Sequence, residues 1–248
     1  RVSARRGALS ARLIQGKSEM NDPIATLEWL LEAQPGIPSL QEMPRRTLED
    51  KGIAGPTAAH VIEEIHTPLN LALVTFTTGS SAFQNIVGVT HDELALRTAA
   101  GKRALAACGV TAGQQVLVTY APLVNVFTRQ ALDESGLRWS FLSRSCRDAL
   151  LIALCRQPPD AVVGESSFLR ATLEQALKME LADRLPKKLT LITAGTPLDE
   201  ALVPLAASLG YALHDMYGCQ EFGWLTLDGI PLREDISLVP APQGGDWR

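Results

Sequence analysis

From Leu69 onward, short apolar runs alternate with helix-like segments, and this alternation constrains the fold more than any other feature of the chain. Leu71–Phe76, Gln115–Tyr120, Leu137–Leu142, Ala161–Gly164, Leu189–Thr193 and Tyr211–His214 read as strands, each short, apolar and bounded by polar, Gly or Pro residues. Helix signals fall between them. Thr90 with Glu93 forms a capping-box opening for a helix that Gly109 ends, and Thr196-Pro197-Leu198-Asp199 opens another that runs to Leu209 before Gly210. Strands separated by crossover helices imply an α/β fold, a mostly parallel sheet with helices on both faces. The final stretch, Trp224–Val239, alternates differently and contains the hairpin signal Asp228-Gly229, so a small antiparallel C-terminal region is expected.

Ahead of the sheet, Ile24–Leu31 carries helical periodicity, with Asn21 or Asp22 as cap and Pro23 at the first helical position. Gln34–Pro44, rich in Pro and Gly, reads as a connector. We therefore expect an N-terminal helical region over 1–48 and one α/β domain over 49–248. A chain of 248 residues can bury a sizeable core, about 70–75% of its unfolded surface.

A formal charge of −4 with scattered Lys and Arg leaves no basic face, which argues against a nucleic-acid partner. Arg1, Arg5, Arg6 and Arg12 read as a solvated helix end. Cys108, Cys146, Cys155 and Cys219 show neither a CxxC pair nor zinc-site spacing, which fits a reducing, cytoplasmic setting. No apolar run reaches the ~18–20 residues of a membrane span, so no membrane partner is expected. A start at Arg1 and an abrupt end at Gly244–Arg248 suggest a fragment, a processed form or an incompletely recorded sequence.

Two segments carry chemistry. Thr77, Thr78, Gly79, Ser80 and Ser81 interrupt an apolar run, and a loop of small hydroxyl residues can wrap a phosphate with side-chain and backbone donors. Asp215-Met216-Tyr217-Gly218-Cys219-Gln220-Glu221 follows the strand-like Tyr211–His214. These two loops and Ala194-Gly195-Thr196-Pro197 each follow an apolar run, the position at which α/β sheets bind ligands. The Glu221 carboxylate suits Mg²⁺, a hard cation that prefers oxygen. Other candidates weigh less. Gly164-Glu165-Ser166-Ser167 lacks the second Gly of a nucleophile elbow, and His60, His66, His91 and His214 have no paired metal spacing. His214 reads as a strand-end residue and Cys219 as a small buried one rather than an acyl-accepting thiol.

Over roughly residues 40–242 the order of these motifs resembles the N-terminal domain of the phenylacetate–coenzyme A ligase branch of the adenylate-forming superfamily. Thr77–Ser81 matches its phosphate loop and Gly88-Val89-Thr90 the exit from it. Ala194–Pro197 resembles its Gly-Ala-Glu-Pro segment against adenine, and Asp215–Glu221 its Asp-x-Tyr-Gly-x-x-Glu motif. Two departures stand out. Ala82-Phe83-Gln84 replaces the family's Gly-Lys-Pro after the loop, and Gly195-Thr196-Pro197 lacks its Glu. The family's ribose-binding Asp, hinge and C-terminal catalytic Lys find no counterpart in the 248 residues.

The resemblance implies ATP-dependent activation of a carboxylic acid as an acyl-adenylate, then transfer to coenzyme A or to the phosphopantetheine thiol of an acyl carrier protein, releasing AMP. Glu221 and Thr77 would be catalytic, with Glu221 holding magnesium. Thr77, Thr78, Gly79, Ser80, Ser81, Gly195, Thr196, Pro197, Asp215, Tyr217 and Gly218 would bind the nucleotide. The acid would lie against Tyr120, Val124, Val126 and Phe127, with Val162–Ser167 nearby, a lining that favours an apolar or aryl acid. The competing expectation is a catalytically impaired nucleotide- or acyl-binding or interaction protein that keeps the ligase fold. The acid, the thiol acceptor and the oligomeric state are not legible.

Overall fold

The computed structural model describes residues 22–33, 70–78, 83–120 and 128–237. Helix α1 (Pro23–Ala33) starts as expected, with the Asp22 Oδ1 accepting the Ile24 N–H at 3.0 Å. Its Ile24 and Leu27 join one of the two buried clusters. The connector Gln34–Pro44 and the expected domain boundary lie outside the described residues.

Strands β1 (Leu71–Thr78) and β2 (Phe83–Thr90) form an antiparallel two-stranded sheet of their own. This corrects the expectation that the Thr77–Ser81 loop hangs from the parallel sheet. A connection of four residues can join only antiparallel neighbours, since a parallel return needs a long crossover. Helix α2 (His91–Ala107) follows, with Thr90 Oγ1 accepting the Glu93 N–H at 3.2 Å and Gly109 leaving the helix at φ +71°.

The larger sheet is built from β3 (Gln115–Val118), β4 (Arg138–Phe141), β5 (Ala161–Gly164), β6 (Thr190–Ala194), β7 (Ala212–Cys219), β8 (Gly223–Leu227) and β9 (Ile230–Pro231). Its order is β4-β3-β5-β6-β7-β8-β9, parallel from β4 through β7 and antiparallel thereafter. Between the strands run α3 (Arg129–Glu134), α4 (Arg147–Arg156), α5 (Ser166–Lys178) and α6 (Leu202–Ser208). Alternate residues of each buried strand serve opposite faces. Val116, Val163 and Ile192 pack with Ala100, Ala104 and Leu105 of α2, whereas Leu117, Val162 and Leu191 pack under α4, α5 and α6.

Helix α6 begins at Leu202, later than its sequence signal. Asp199 is responsible. Its N–H donates to Ser166 Oγ at 2.6 Å, and its carboxylate accepts from Arg170 Nε at 2.6 Å, which holds the segment in a turn over α5. The Asp228-Gly229 hairpin forms as expected, with both residues at positive φ (51° and 78°) and Leu227 paired to Ile230. Among the described residues no helix is long and apolar enough to cross a membrane.

Candidate functional site

Strands β6 and β7 bring two of the expected nucleotide segments together. Their last pair is Ala194 with Met216, so Gly195 and Tyr217 are the next residues on neighbouring strands at one edge of the sheet. Gly195 turns away at φ +88°, and Tyr217 is 59% exposed. One pair inward, the buried Thr193 donates its hydroxyl to Asp215 Oδ1 at 2.7 Å. Asp228 reaches back from the β8–β9 turn, its Oδ1 accepting the Asp215 N–H at 2.7 Å and its Oδ2 lying 2.8 Å from His214 Nδ1. His214 is thus engaged in fixing the strand end. A cavity of about 330 Å³ opens beside this edge, walled by Leu198, Val203, Ala207 and Leu213, with Asp215 and Asp228 as its acidic residues. Such a pocket can take a flat, largely apolar group that offers hydrogen-bond donors at one side.

The segment Asp215–Glu221 is not a loop, contrary to expectation. Asp215 to Cys219 continue β7, because antiparallel pairing with β8 extends the strand beyond the end of β6. Gly218 makes that pairing possible. A Cβ there would stand 2.4 Å from the Gly223 carbonyl oxygen and 2.7 Å from Trp224 Cε3. Only Gln220, Glu221 and Phe222 form the turn.

Two buried guanidinium groups hold the turn's carbonyls. Arg97 of α2 donates from Nη1 to the Gln220 carbonyl at 2.9 Å and from Nη2 to that of Glu221 at 2.5 Å, while Arg233 Nη1 reaches the Phe222 carbonyl at 3.0 Å. Glu93 joins them, accepting from Arg97 Nε at 2.9 Å and from Arg233 at 2.7 and 3.0 Å. Burial alone would raise the Glu93 carboxyl, but hydrogen bonds from Arg233 and Arg97 outweigh it and hold the pKa below the usual range. Asp235 and Glu93, the former foremost, push Arg233 further up.

Glu221 carries the one carboxylate of the turn, half-buried. Among the described residues no cluster of three or more His, Cys, Asp or Glu could cage a metal. A lone carboxylate nevertheless fits Mg²⁺, which keeps several waters and takes its other ligands from phosphates. Burial, then the hydrogen bond to the Glu221 carboxylate, pushes the Cys219 thiol up against the opposing backbone amides of Phe222 and Glu221, so it stays protonated at neutral pH.

The remaining candidates fall in different places. Thr77 and Thr78 close β1, paired with Asn85 and Phe83, and Gly79, Ser80 and Ser81 lie outside the described residues. The hairpin nevertheless touches the turn, since Thr75 Oγ1 donates to Gln220 Oε1 at 3.1 Å. Tyr120, 47% exposed, follows β3 where the chain's connections leave to opposite sides, the switch point at which open α/β sheets bind ligands. Val124, Val126 and Phe127 lie outside the described residues. Val162 is core, and Ser166 is buried as the acceptor for Asp199, with no role left for it as a nucleophile.

Arg97 and Arg233 escaped the sequence reading, as did the engagement of the Glu93 carboxylate, foreseen only as a helix cap, with both arginines. Arg97 left a faint signal, because it sits on the stripe that also carries Ala100, Gly101 and Ala104, where a charge must find buried partners.

The chain is 54% identical over 229 residues to a protein of Malonomonas rubra named ACP-SH:acetate ligase. The match covers 92% of this chain and 63% of that relative's length. Among solved structures, the inhibitor-bound N-terminal domain of FACL13 from Mycobacterium tuberculosis aligns with 62% of this chain and 38% of its own (TM-score 0.52, 18% identity). A 2-hydroxyisobutyryl-CoA ligase bound to 2-HIB-AMP and CoA aligns with 62% and 34% (TM-score 0.51, 15% identity). No family model matches.

Proposed function

We propose that the chain is the α/β N-terminal domain of an adenylate-forming ligase whose protein activates a carboxylic acid with ATP and passes the acyl group to a thiol, a reading supported by the 54% identity to the acetate ligase and by the fold shared with acyl-CoA ligases. The observation that carries the reading is the shared end of β6 and β7, where Gly195 and Tyr217 follow the last strand pair and Asp215 lines a cavity of about 330 Å³.

In this reading Gly195, Thr196, Pro197 and Tyr217 would line the nucleotide, with Gly218 keeping the strand that carries Tyr217 closely paired to β8. Asp215, oriented by Thr193 and Asp228, accepts a hydrogen bond from the base. Thr77, Thr78, Gly79, Ser80 and Ser81 would hold the phosphates. Magnesium on Glu221 would offset phosphate charge as pyrophosphate leaves. The residues' own contribution is positional, since phosphoryl chemistry asks mainly for alignment and charge stabilisation.

The relative's name favours acetate as the acid and a carrier-protein thiol as acceptor, and its 54% identity supports carrying both to this protein. An apolar or aryl acid against Tyr120, Val124, Val126 and Phe127, and coenzyme A as acceptor, stand as the alternatives to be assayed. Four free cysteines suit a cytoplasmic setting. We keep 1–48 and 49–248 as the proposed division of the chain. The test is direct: protein from the complete coding sequence is given ATP, Mg²⁺ and each acid, and thioester mass is sought on a phosphopantetheine-bearing carrier protein and on coenzyme A. Acetylated carrier protein supports the reading, and a preference for aryl acids or coenzyme A shifts it to the alternatives. Nucleotide binding without any thioester supports the impaired binding protein.

A further inference from the structure

We propose that Arg97 is a positioning residue for the magnesium-binding carboxylate, an inference that rests on the nucleotide reading above. Arg97 is 2% exposed, yet none of its hydrogen bonds merely neutralises charge at the surface. One goes to Glu93, and the other two go to consecutive carbonyls of the turn that presents Glu221. Two N–H groups of one rigid, planar fork on adjacent peptide units fix the plane of the turn, a task the single ammonium of Lys cannot perform.

The surroundings enforce that geometry. Gly223 stands at φ +73°, and a Cβ there would press 3.0 Å from Arg97 Cγ, so the turn packs directly on the arginine stem. Glu93 clamps the guanidinium from the other side and is itself gripped by Arg233, which takes the third carbonyl, that of Phe222. Thr75 then fastens the hairpin bearing the Ser/Thr loop to Gln220 of the same turn. The hairpin, the turn and helix α2 are thus linked in series, through Gln220 and then Arg97. A carboxylate whose backbone is preset binds its metal without first ordering the turn, and groups behind a metal ligand commonly govern affinity about 10- to 100-fold.

The experiment measures the Mg²⁺ concentration at half-maximal ATP binding for the parent, Arg97→Lys, Arg97→Gln, Glu221→Gln and Arg97→Lys/Glu221→Gln, with circular dichroism and thermal unfolding as folding controls. Arg97→Lys keeps the charge and loses the fork. The midpoint should rise about 10-fold in Arg97→Lys and more in Arg97→Gln. In the Glu221→Gln background, Arg97→Lys should change ATP affinity less than about twofold, because the residue acts through that carboxylate. Hydrogen exchange in the unliganded protein adds an independent readout: amides of 218–224 should exchange faster in Arg97→Lys while those of β5 and β6 do not.

A folded Arg97→Lys protein with an unchanged Mg²⁺ midpoint overturns the positioning role and leaves the nucleotide reading standing. Equal losses with and without Glu221 overturn it as well. A parent that binds no ATP at any Mg²⁺ concentration refutes the nucleotide reading, and the inference falls with it.

Discussion

The hydroxyl of Thr75 donates to the side-chain carbonyl of Gln220, 3.1 Å away and 145 residues later in the chain. This bond ties two motifs that the backbone keeps in separate sheets. β1 belongs to the two-stranded hairpin, and Gln220 begins the turn after β7 of the larger sheet. A nucleotide spanning phosphate and magnesium groups would need the two at a fixed separation, so the bond's effect should appear in binding as well as in stability.

Thr75→Val tests it. Thr75 is buried, and replacing its hydroxyl with a methyl leaves Gln220 without that donor. A loss of about 1 kcal/mol in stability is expected, with a several-fold weakening of Mg²⁺–ATP binding. Urea unfolding and titration calorimetry on the same sample separate the two effects, and unchanged binding would show that the hairpin and the turn act independently.

Gly218→Ala should destabilise the protein by about 1–3 kcal/mol. The added methyl meets the Gly223 carbonyl and the Trp224 ring, and neither is the free end of a flexible chain. A denaturation midpoint equal to the parent's would mean that β7 and β8 are not packed as described.

Glu93→Gln leaves the Arg97 and Arg233 guanidinium groups facing each other with less to bind, and breaking a buried ionic network of this kind costs about 3 kcal/mol. The sign of its pH dependence follows from the lowered Glu93 carboxyl. A carboxyl that is more acidic folded than unfolded stabilises the protein above its unfolded pKa, and that stability is lost as pH falls below about 4.5 through the folded value. Parent stability should therefore fall more steeply with acid than that of Glu93→Gln. Parallel profiles would contradict the ionic network.

At the alkaline end the sign reverses. Burial raises Tyr211 from 10.0 to about 12 and Cys108 from 9.0 to about 12. The unfolded chain releases these protons first, so stability is expected to fall as pH rises between about 9 and 12. Tyr211→Phe and Cys108→Ala should each flatten the decline when ΔG of unfolding is plotted against pH. Tyr211 also donates its hydroxyl to the Pro186 carbonyl at 2.9 Å, so its variant should start lower at neutral pH.

The sheet was legible because its strands are buried on both faces and therefore read as uninterrupted apolar runs, as Val116–Val118 and Ala161–Val163 do. Helix α2 was legible from the Thr90 and Glu93 cap and the Gly109 stop, which act locally. What escaped depends on pairing between distant segments. The extension of β7 through Cys219 arises from β8, and the late start of α6 arises from the grip of Ser166 and Arg170 on Asp199. The candidate site divides in the same way. Its Gly195, Asp215, Tyr217 and Glu221 stood out by residue type and order, whereas the Glu93–Arg97–Arg233 network exists only once α2 packs on the β7–β8 turn.

Carboxylate-dependent exchange of labelled pyrophosphate into ATP tests the central claim most directly, using protein from the complete coding sequence, with Mg²⁺ and acetate or one of a panel of larger acids. It reports formation of the acyl-adenylate alone and needs no knowledge of the thiol. Exchange that requires both an acid and Mg²⁺, and that falls in Glu221→Gln while the fold persists, is the expected result. Folded protein that binds ATP but shows no exchange with any acid, or exchange indifferent to Glu221, would contradict it.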